Sequence, residues 1–381
     1  MRIALLPSAY APAIGGVEEL TARLAHHLME TGDEVEVWTI RHPLELPARE
    51  GIDGLTVRRF ELPLPRMAVG ALLRFPFDRR HALGELAAAA AAFDPDVLHV
   101  QCFSANGVYA TWLARRLGVP LVVSLQGETL MDDHDIYERS LALRLGLRRG
   151  LRRAAAVTGC SRFVLADAER RFGLAPGKGE VIPNGVDLAE LAQPESLHLP
   201  FERFILGLGR IVEKKGFDLL LAAFARLADR HSGLGLVIGG DGPARPALLS
   251  SVAEMGLGDR VVLPGPLDRG QVAWAMQTAD VFVLPSRVEP FGIVVLEALR
   301  AGCPAVVSSR GGATEIVRDG EDGLVADPFD AEALAGAIER VLADDGLAAR
   351  LAEAGRARAT EFAWDGIADR YRPLYASDRS Q

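Results

Sequence analysis

The chain has 381 residues, of which 49% are hydrophobic, 6% aromatic and 24% charged, with a formal charge of −9. The length favours two domains, the composition describes a globular protein with a sizeable core, and the acidic balance gives no support to nucleic-acid binding. Cys102, Cys160 and Cys303 are far apart and form no CxxC pair, so neither a zinc site nor a disulfide framework is expected, and a reducing cytoplasm fits. The apolar start at 3–6 is too short for a signal peptide, and the longest apolar run, 86–93, falls far below a membrane span.

In chain order, a strand at 2–6 leads through a Gly-containing loop into a helix near 17–31, where Val17, Leu20, Leu24 and Leu28 recur at helical spacing. Strands follow at 34–40, 55–60, 97–101, 121–125 and 156–160, with helices between most of them. The Ala-rich stretch 87–92 reads as tightly packed helix. The pattern pauses at 191–202, which holds Pro194 and Pro200, and restarts with strands at 204–208, 236–238, 261–263, 281–284 and 305–307. Alternation of this kind implies α/β architecture, with two doubly wound parallel sheets of Rossmann type. The expected domains are 1–190, a linker at 191–202, and 203–360, with 361–381 packing back on the first. Such sheets bind ligands at the carboxyl ends of their strands, so two of them facing each other would enclose a cleft.

The strongest constellation lies in the second half. Gly209-Arg210 follows a strand, and Lys215-Gly216 precedes a helix at Phe217. An Arg fork and a Lys point charge at a strand end suit a diphosphate. After the strand at 281–284 comes Pro285-Ser286-Arg287-Val288-Glu289-Pro290-Phe291-Gly292, then Ile293-Val294-Val295-Leu296-Glu297. A carboxylate in such an apolar run needs partners, and ribose hydroxyls are suitable ones. The backbone N–H groups at Phe291, Gly292 and Ile293 would form a phosphate site at the helix start. Glu289 and Glu297 are eight residues apart, up to ~12 Å if helical throughout. That exceeds the roughly 5–9.5 Å of glycosidase carboxylate pairs, so the two read as ligand contacts, not as a hydrolytic couple.

The Glu-x7-Glu element together with Gly209-Arg210-x4-Lys215-Gly216 resembles the retaining glycosyltransferases of family 4, which have the two-domain GT-B fold. Gly15-Gly16-Val17-Glu18, Pro183-Asn184-Gly185-Val186-Asp187, Gly239-Gly240-Asp241-Gly242-Pro243, Gly302-Cys303-Pro304 and Gly311-Gly312-x2-Glu315 match in the family's order over nearly the whole chain. The resemblance implies a nucleoside-diphosphate sugar as donor, UDP before GDP, and a small-molecule, lipid or saccharide acceptor. Arg210 and Lys215 would neutralise the leaving diphosphate, Glu297 would hold the ribose and Glu289 the transferred sugar. Gly16 would offer its backbone to the phosphate, where a side chain would block approach. Acceptor contacts would involve Glu18, Asp133 and Asp135. No metal or other cofactor is implied; Asp94-x-Asp96 and Asp133-x-Asp135 match a metal-binding DxD only superficially.

Two features depart from the pattern. Where the family places a His before Gly at the end of the strand at 121–125, this chain has Gln126-Gly127-Glu128. Gln126 can orient a sugar hydroxyl but cannot act as an acid or base at neutral pH. It therefore leaves open a non-catalytic sugar-nucleotide-binding partner of another glycosyltransferase. A GT-B epimerase is the other alternative. A phosphorylase would need a pyridoxal-phosphate lysine, and Lys178, Lys214 and Lys215 lack a cofactor motif. Pro7-Ser8 after the first strand disfavours an NAD enzyme, which would carry GxGxxG. The second feature is an Arg-rich helix at 138–153, with Arg144, Arg148 and Arg152 on one face while Leu141 and Leu145 pack. It reads either as a solvated face or as a peripheral surface for anionic lipid or an anionic acceptor. His26, His27, His99 and His134 are accounted for by helix faces or strand ends.

Overall fold

The computed structural model describes residues 1–13, 15–65, 69–132, 135–189 and 192–376. It divides into two compact units, Met1–Asn184 with Trp364–Gln381, and Gly185–Ala363. The segment 192–202 belongs to the second unit, where the Glu195 N–H donates to the Gly270 carbonyl at 3.0 Å.

The first unit carries strands β1 (Arg2–Pro7), β2 (Glu34–Ile40), β3 (Arg49–Ile52), β4 (Leu55–Phe60), β5 (Val97–Gln101), β6 (Leu121–Leu125), β7 (Ala156–Gly159) and β8 (Gly179–Val181). They run in the order β3-β4-β2-β1-β5-β6-β7-β8, parallel except for the β3–β4 hairpin. Its two-residue turn is Asp53-Gly54, a dipeptide suited to type I′ geometry that marks the hairpin despite the polar β3. The core gathers Ile3, Leu5, Leu24, Leu28, Val37 and Val122 with Ile367, Tyr371 and Tyr375 from the C-terminal segment.

In the second unit β9 (Arg203–Leu208), β10 (Leu234–Gly239), β11 (Val261–Gly265), β12 (Val281–Leu284), β13 (Ala305–Ser308) and β14 (Leu324–Ala326) form an all-parallel sheet ordered β11-β10-β9-β12-β13-β14. The strand order reverses between β9 and β12, the switch point at which doubly wound sheets take their ligands. The buried runs Phe204–Leu208 and Val281–Leu284 are apolar throughout because helices cover both faces of a parallel sheet.

Three details differ from the sequence expectation. The Arg-rich segment forms two helices, Ile136–Arg139 and Leu141–Arg153, separated by Ser140, whose hydroxyl caps the second by accepting from the Leu143 N–H at 3.3 Å. Its buried stripe is Leu143, Leu147 and Leu151, while Leu141 and Leu145 are 68% and 51% exposed. The helix at the second carboxylate spans only Ile293–Ala301, so Glu289 lies ahead of it and the ~12 Å helical rise does not describe the Glu289–Glu297 separation. In the alanine-rich helix Val69–Phe93, Ala89 and Ala90 are buried while Ala88, Ala91 and Ala92 face outward.

His99, on β5, is wholly buried beneath the rings of Tyr371 and Tyr375, at centroid distances of 5.1 and 5.5 Å. Burial pushes its imidazole down from 6.5 to about 3. Below pH 6.5 the unfolded chain takes up a proton that the folded chain refuses until about 3. The stability due to neutral His99 is therefore complete above 6.5 and is lost as pH falls through that window, by up to ~1.4 kcal/mol per pH unit. Urea unfolding at a series of pH values should show this decline, and His99→Gln should remove its share of the slope; an unaltered slope in the variant would contradict the assignment.

Candidate active site

The second unit's site is built from loops at the carboxyl ends of β9, β12 and β13. After β9 the chain is held against the β10 loop: the Gly209 N–H donates to Gly239 O at 3.1 Å, Ile211 N–H to Asp241 O at 2.8 Å, and Ala244 N–H to Ile211 O at 3.0 Å. The Gly239-Gly240-Asp241-Gly242 motif thus supports the segment that carries Arg210. A single 3-10 turn, Glu213–Lys215, comes next and ends at Gly216 in the left-handed region (φ 69°). A Cβ at Gly216 would lie 2.2 Å from the Pro285 carbonyl oxygen, so only glycine allows the two loops to meet.

That contact is reinforced from the β12 side. The Arg287 N–H donates to Lys214 O at 2.8 Å, and the Arg287 guanidinium donates to Glu213 O and, through both nitrogens, to Asp218 at 2.7 and 2.6 Å. The paired Asp218 carboxylate holds the guanidinium above its usual range, and Arg287 in turn pulls the Asp218 carboxyl down against the opposing effect of burial.

The result is a close meeting of Lys215 and Glu289. Lys215 Nζ donates to Glu289 Oε2 at 2.7 Å, and Ser286 Oγ donates to the same oxygen at 2.9 Å. Glu289 is 4% exposed, and its carboxylate is compensated by an ammonium and a hydroxyl, as a buried charge requires. Its backbone is pinned to the β13 loop: Glu289 N–H donates to Arg310 O at 3.2 Å, and Gly312 N–H to Glu289 O at 2.7 Å. Between these bonds stands Gly311 (φ 136°), where a Cβ would lie 2.1 Å from Glu289 O.

Gly292, also left-handed (φ 101°), leads into the helix Ile293–Ala301 and provides no side-chain cap. The N–H groups at that helix start, with the helix dipole, suit an anion. Phe291 is buried, Ile293 and Glu297 are half-buried on the helix, and Arg210 is exposed. Arg210, Lys215, Glu289 and the helix start therefore stand on loops that flank one switch point.

In the first unit Gly16 begins the helix Gly16–Glu30 and is exposed, and Glu18 is half-buried with its carboxylate turned back beside Gly15. Gln126 follows β6 directly and donates through Nε2 to Gln101 Oε1 at 3.2 Å. Its N–H donates to Glu128 Oε2 at 2.7 Å, while Glu128 Oε1 accepts from the Phe103 N–H at 2.7 Å. Burial pushes the Glu128 carboxyl up, opposed by those backbone hydrogen bonds. Asp135 precedes the helix Ile136–Arg139 without capping it through its side chain, and Asp133 lies outside the described residues. Asp94 and Asp96 serve the amino end of the sheet: Asp94 pairs with Arg2 at 2.8 Å, and Asp96 accepts from the Arg2 N–H at 2.8 Å.

The sequence reading missed Ser286, Glu128, His99 and Gln101. Ser286 lay inside the quoted motif, and the polar pair at alternate positions of an otherwise apolar β5 was the available signal for His99 and Gln101.

Two doubly wound units of this kind are shared with solved GT-B proteins. The fold matches sucrose-phosphate synthase from Thermosynechococcus elongatus with a TM-score of 0.82 and 26% identity, covering 99% of this chain and 100% of that one. It also matches HepE of Anabaena, solved in complex with UDP and glucose, with a TM-score of 0.78 and 20% identity, covering 98% and 100%. The architecture is GT-B. Residues 14–190 match the family described as Glycosyltransferase Family 4, and 192–358 match Glycosyl transferases group 1. The D-inositol 3-phosphate glycosyltransferase of Acidothermus cellulolyticus is 30% identical, over 96% of this chain and 87% of the relative. The chain belongs to glycosyltransferase family 4 and is a glycosyltransferase.

Gly311→Ala should lower the unfolding free energy by more than ~1 kcal/mol, because alanine at positive φ is strained even before it meets the Glu289 carbonyl. Denaturant titration of the purified variant measures this, and an unchanged midpoint would contradict the close approach.

Proposed function

We propose that the chain is a retaining transferase that moves a hexose-type sugar from a nucleoside-diphosphate sugar to an acceptor hydroxyl without a metal. The observation that carries this reading is the Lys215–Glu289 contact of 2.7 Å at the switch point of the second sheet. Arg210 and Lys215 take the charge of the departing diphosphate, assisted by the backbone at Phe291, Gly292 and Ile293. Glu297 binds the ribose hydroxyls. Hydrogen bonds to the Glu289 carboxylate from the described residues fall on Oε2, so Oε1 serves the transferred sugar. Gly16 contributes its backbone to phosphate, Gln126 contacts a sugar hydroxyl, and Glu18 and Asp135 act on the acceptor side.

In the step itself the acceptor oxygen bonds to the anomeric carbon on the face that the diphosphate leaves. The bond from that carbon to phosphate oxygen breaks, and a phosphate oxygen takes the acceptor's proton. Cations fixed where negative charge develops supply the main catalytic effect. UDP is favoured as the nucleotide, in keeping with the UDP complex of HepE, and GDP stands second. A polyol, saccharide or lipid acceptor accords with the inositol phosphate named for the 30% identical relative.

Lys215→Ala or Glu297→Ala should reduce transfer from the working donor at least ~10²-fold, as does losing one transition-state donor elsewhere. Near-wild-type rates in both variants would overturn the roles of these two side chains.

Contact with an anionic membrane surface is proposed for the helix Leu141–Arg153. It exposes Leu141 and Leu145 together with Arg149, Arg152 and Arg153, an apolar and cationic pairing suited to lipid headgroups. Among the described residues no helix is long and apolar enough to cross a membrane. Co-sedimentation with phosphatidylglycerol vesicles should be salt-sensitive and weakened by Leu145→Ser with Arg149→Ser; no binding at low salt would end the proposal.

A further inference from the structure

His99 and Gln101 project to the same face of β5 and are both fully buried. The sequence offers no reason for two uncharged polar groups there, and their partners supply one. Gln101 Nε2 lies 3.1 Å from His99 Nε2, and His99 Nδ1 lies 2.8 Å from the Tyr375 hydroxyl. An amide nitrogen can only donate, so His99 Nε2 accepts and carries no proton. The ring proton then sits on Nδ1 and is donated to Tyr375. Ser124 Oγ, at 2.7 Å from the same Nε2 and 2.7 Å from Thr158 Oγ1, shares these surroundings with the buried Tyr371 hydroxyl, which lies beside Ser124, Thr158 and Gln101.

The tautomer dictates the direction of each hydrogen bond beyond it. With its nitrogen committed to His99, Gln101 turns Oε1 toward Gln126, where it accepts from Gln126 Nε2 at 3.2 Å. Gln126 must then direct its own Oε1 elsewhere. That oxygen is buried and has no hydrogen-bond partner among the described residues. Leaving a carbonyl so placed costs free energy unless a ligand or a water donates to it. The Gln126 backbone cannot swing to relieve that cost, because its N–H is tied to Glu128, which also ties the β5 loop at Phe103.

We infer that His99 and Gln101 are positioning residues that hold the Gln126 amide with its carbonyl oxygen presented as an acceptor, so that Gln126 selects a substrate hydroxyl able to donate. The hand-over begins at Tyr375 on the C-terminal segment and reaches the end of β6 through three hydrogen bonds. The opposite arrangement, with a proton on His99 Nε2, would flip both amides and present an N–H group instead. Burial that keeps His99 neutral to about 3 keeps Nε2 available as an acceptor throughout the ordinary pH range. The substrate side of the inference rests on the nucleotide-sugar reading; the relay within the protein does not.

Two measurements test it. Imidazole nitrogen NMR on the selectively labelled full-length protein should show His99 as the Nδ1–H tautomer, and an Nε2–H tautomer would overturn the relay whatever the ligand. Binding of UDP-glucose is then compared with UDP, and GDP-mannose with GDP. Gln126→Leu and Gln101→Leu should each cut the preference for the sugar-bearing ligand about tenfold, roughly one hydrogen bond. The double variant should lose no more than either alone, and affinity for the bare nucleotide should persist in all three. Deoxyfluoro analogues of the sugar should mimic the loss at one hydroxyl, since fluorine accepts but cannot donate. A preference abolished by Gln126→Leu yet intact in Gln101→Leu would sink the positioning role, and an intact preference in Gln126→Leu would remove the contact itself. If wild type binds neither sugar nucleotide above its nucleotide, the nucleotide-sugar reading fails, while the tautomer still decides the relay.

Discussion

The chemistry of the second unit depends on backbone contacts that side chains would prevent. Three loops arrive from β9, β12 and β13, and each meets its neighbour where a glycine stands. Gly216 lets the Lys215 turn touch Pro285, and Gly311 lets the β13 loop run beside Glu289. Once the backbones are laced in this way, Lys215 and Ser286 reach one carboxylate oxygen, and the charge on a 4% exposed glutamate is compensated. The pair is therefore a consequence of loop packing at the strand-order reversal, and preorganisation of this kind is what electrostatic catalysis requires.

In the first unit the corresponding strand ends are organised by buried hydrogen bonds. Glu128 bridges the ends of β5 and β6 through two backbone N–H groups, and the Tyr375–His99–Gln101 chain continues to Gln126. A neutral, buried imidazole serves well there because one nitrogen must donate while the other accepts. The C-terminal segment supplies the end of that chain and part of the apolar core, so these last residues contribute to polar order as well as to packing.

Much of the architecture was legible in the linear pattern. The alternation of short apolar runs with helical periods gave the parallel strands, and the order of Gly-rich and charged motifs gave the family. Legibility failed where a residue's meaning depends on a distant partner. His99 looked ordinary because Tyr375 lies 276 positions away. Leu141 and Leu145 read as packed at helical spacing, yet Ser140 resets the helix start and the buried stripe falls on Leu143, Leu147 and Leu151. Periodicity alone cannot say which of two adjacent apolar stripes a neighbouring element covers.

Local pattern along the chain was enough to set the class of fold and the membership of family 4, and to single out the residue types proposed to meet phosphate and hydroxyl groups. Strand and helix periods, glycine at turns and charge at strand ends are properties of short segments, so they can be read without a partner. Long-range packing was needed to bring Lys215 onto the Glu289 Oε2 that Ser286 also reaches, and to leave the Gln126 side-chain carbonyl without a partner among the described residues. These are matters of hydrogen-bond direction and atomic separation between segments up to hundreds of residues apart, and they exist only once the chain has closed on itself.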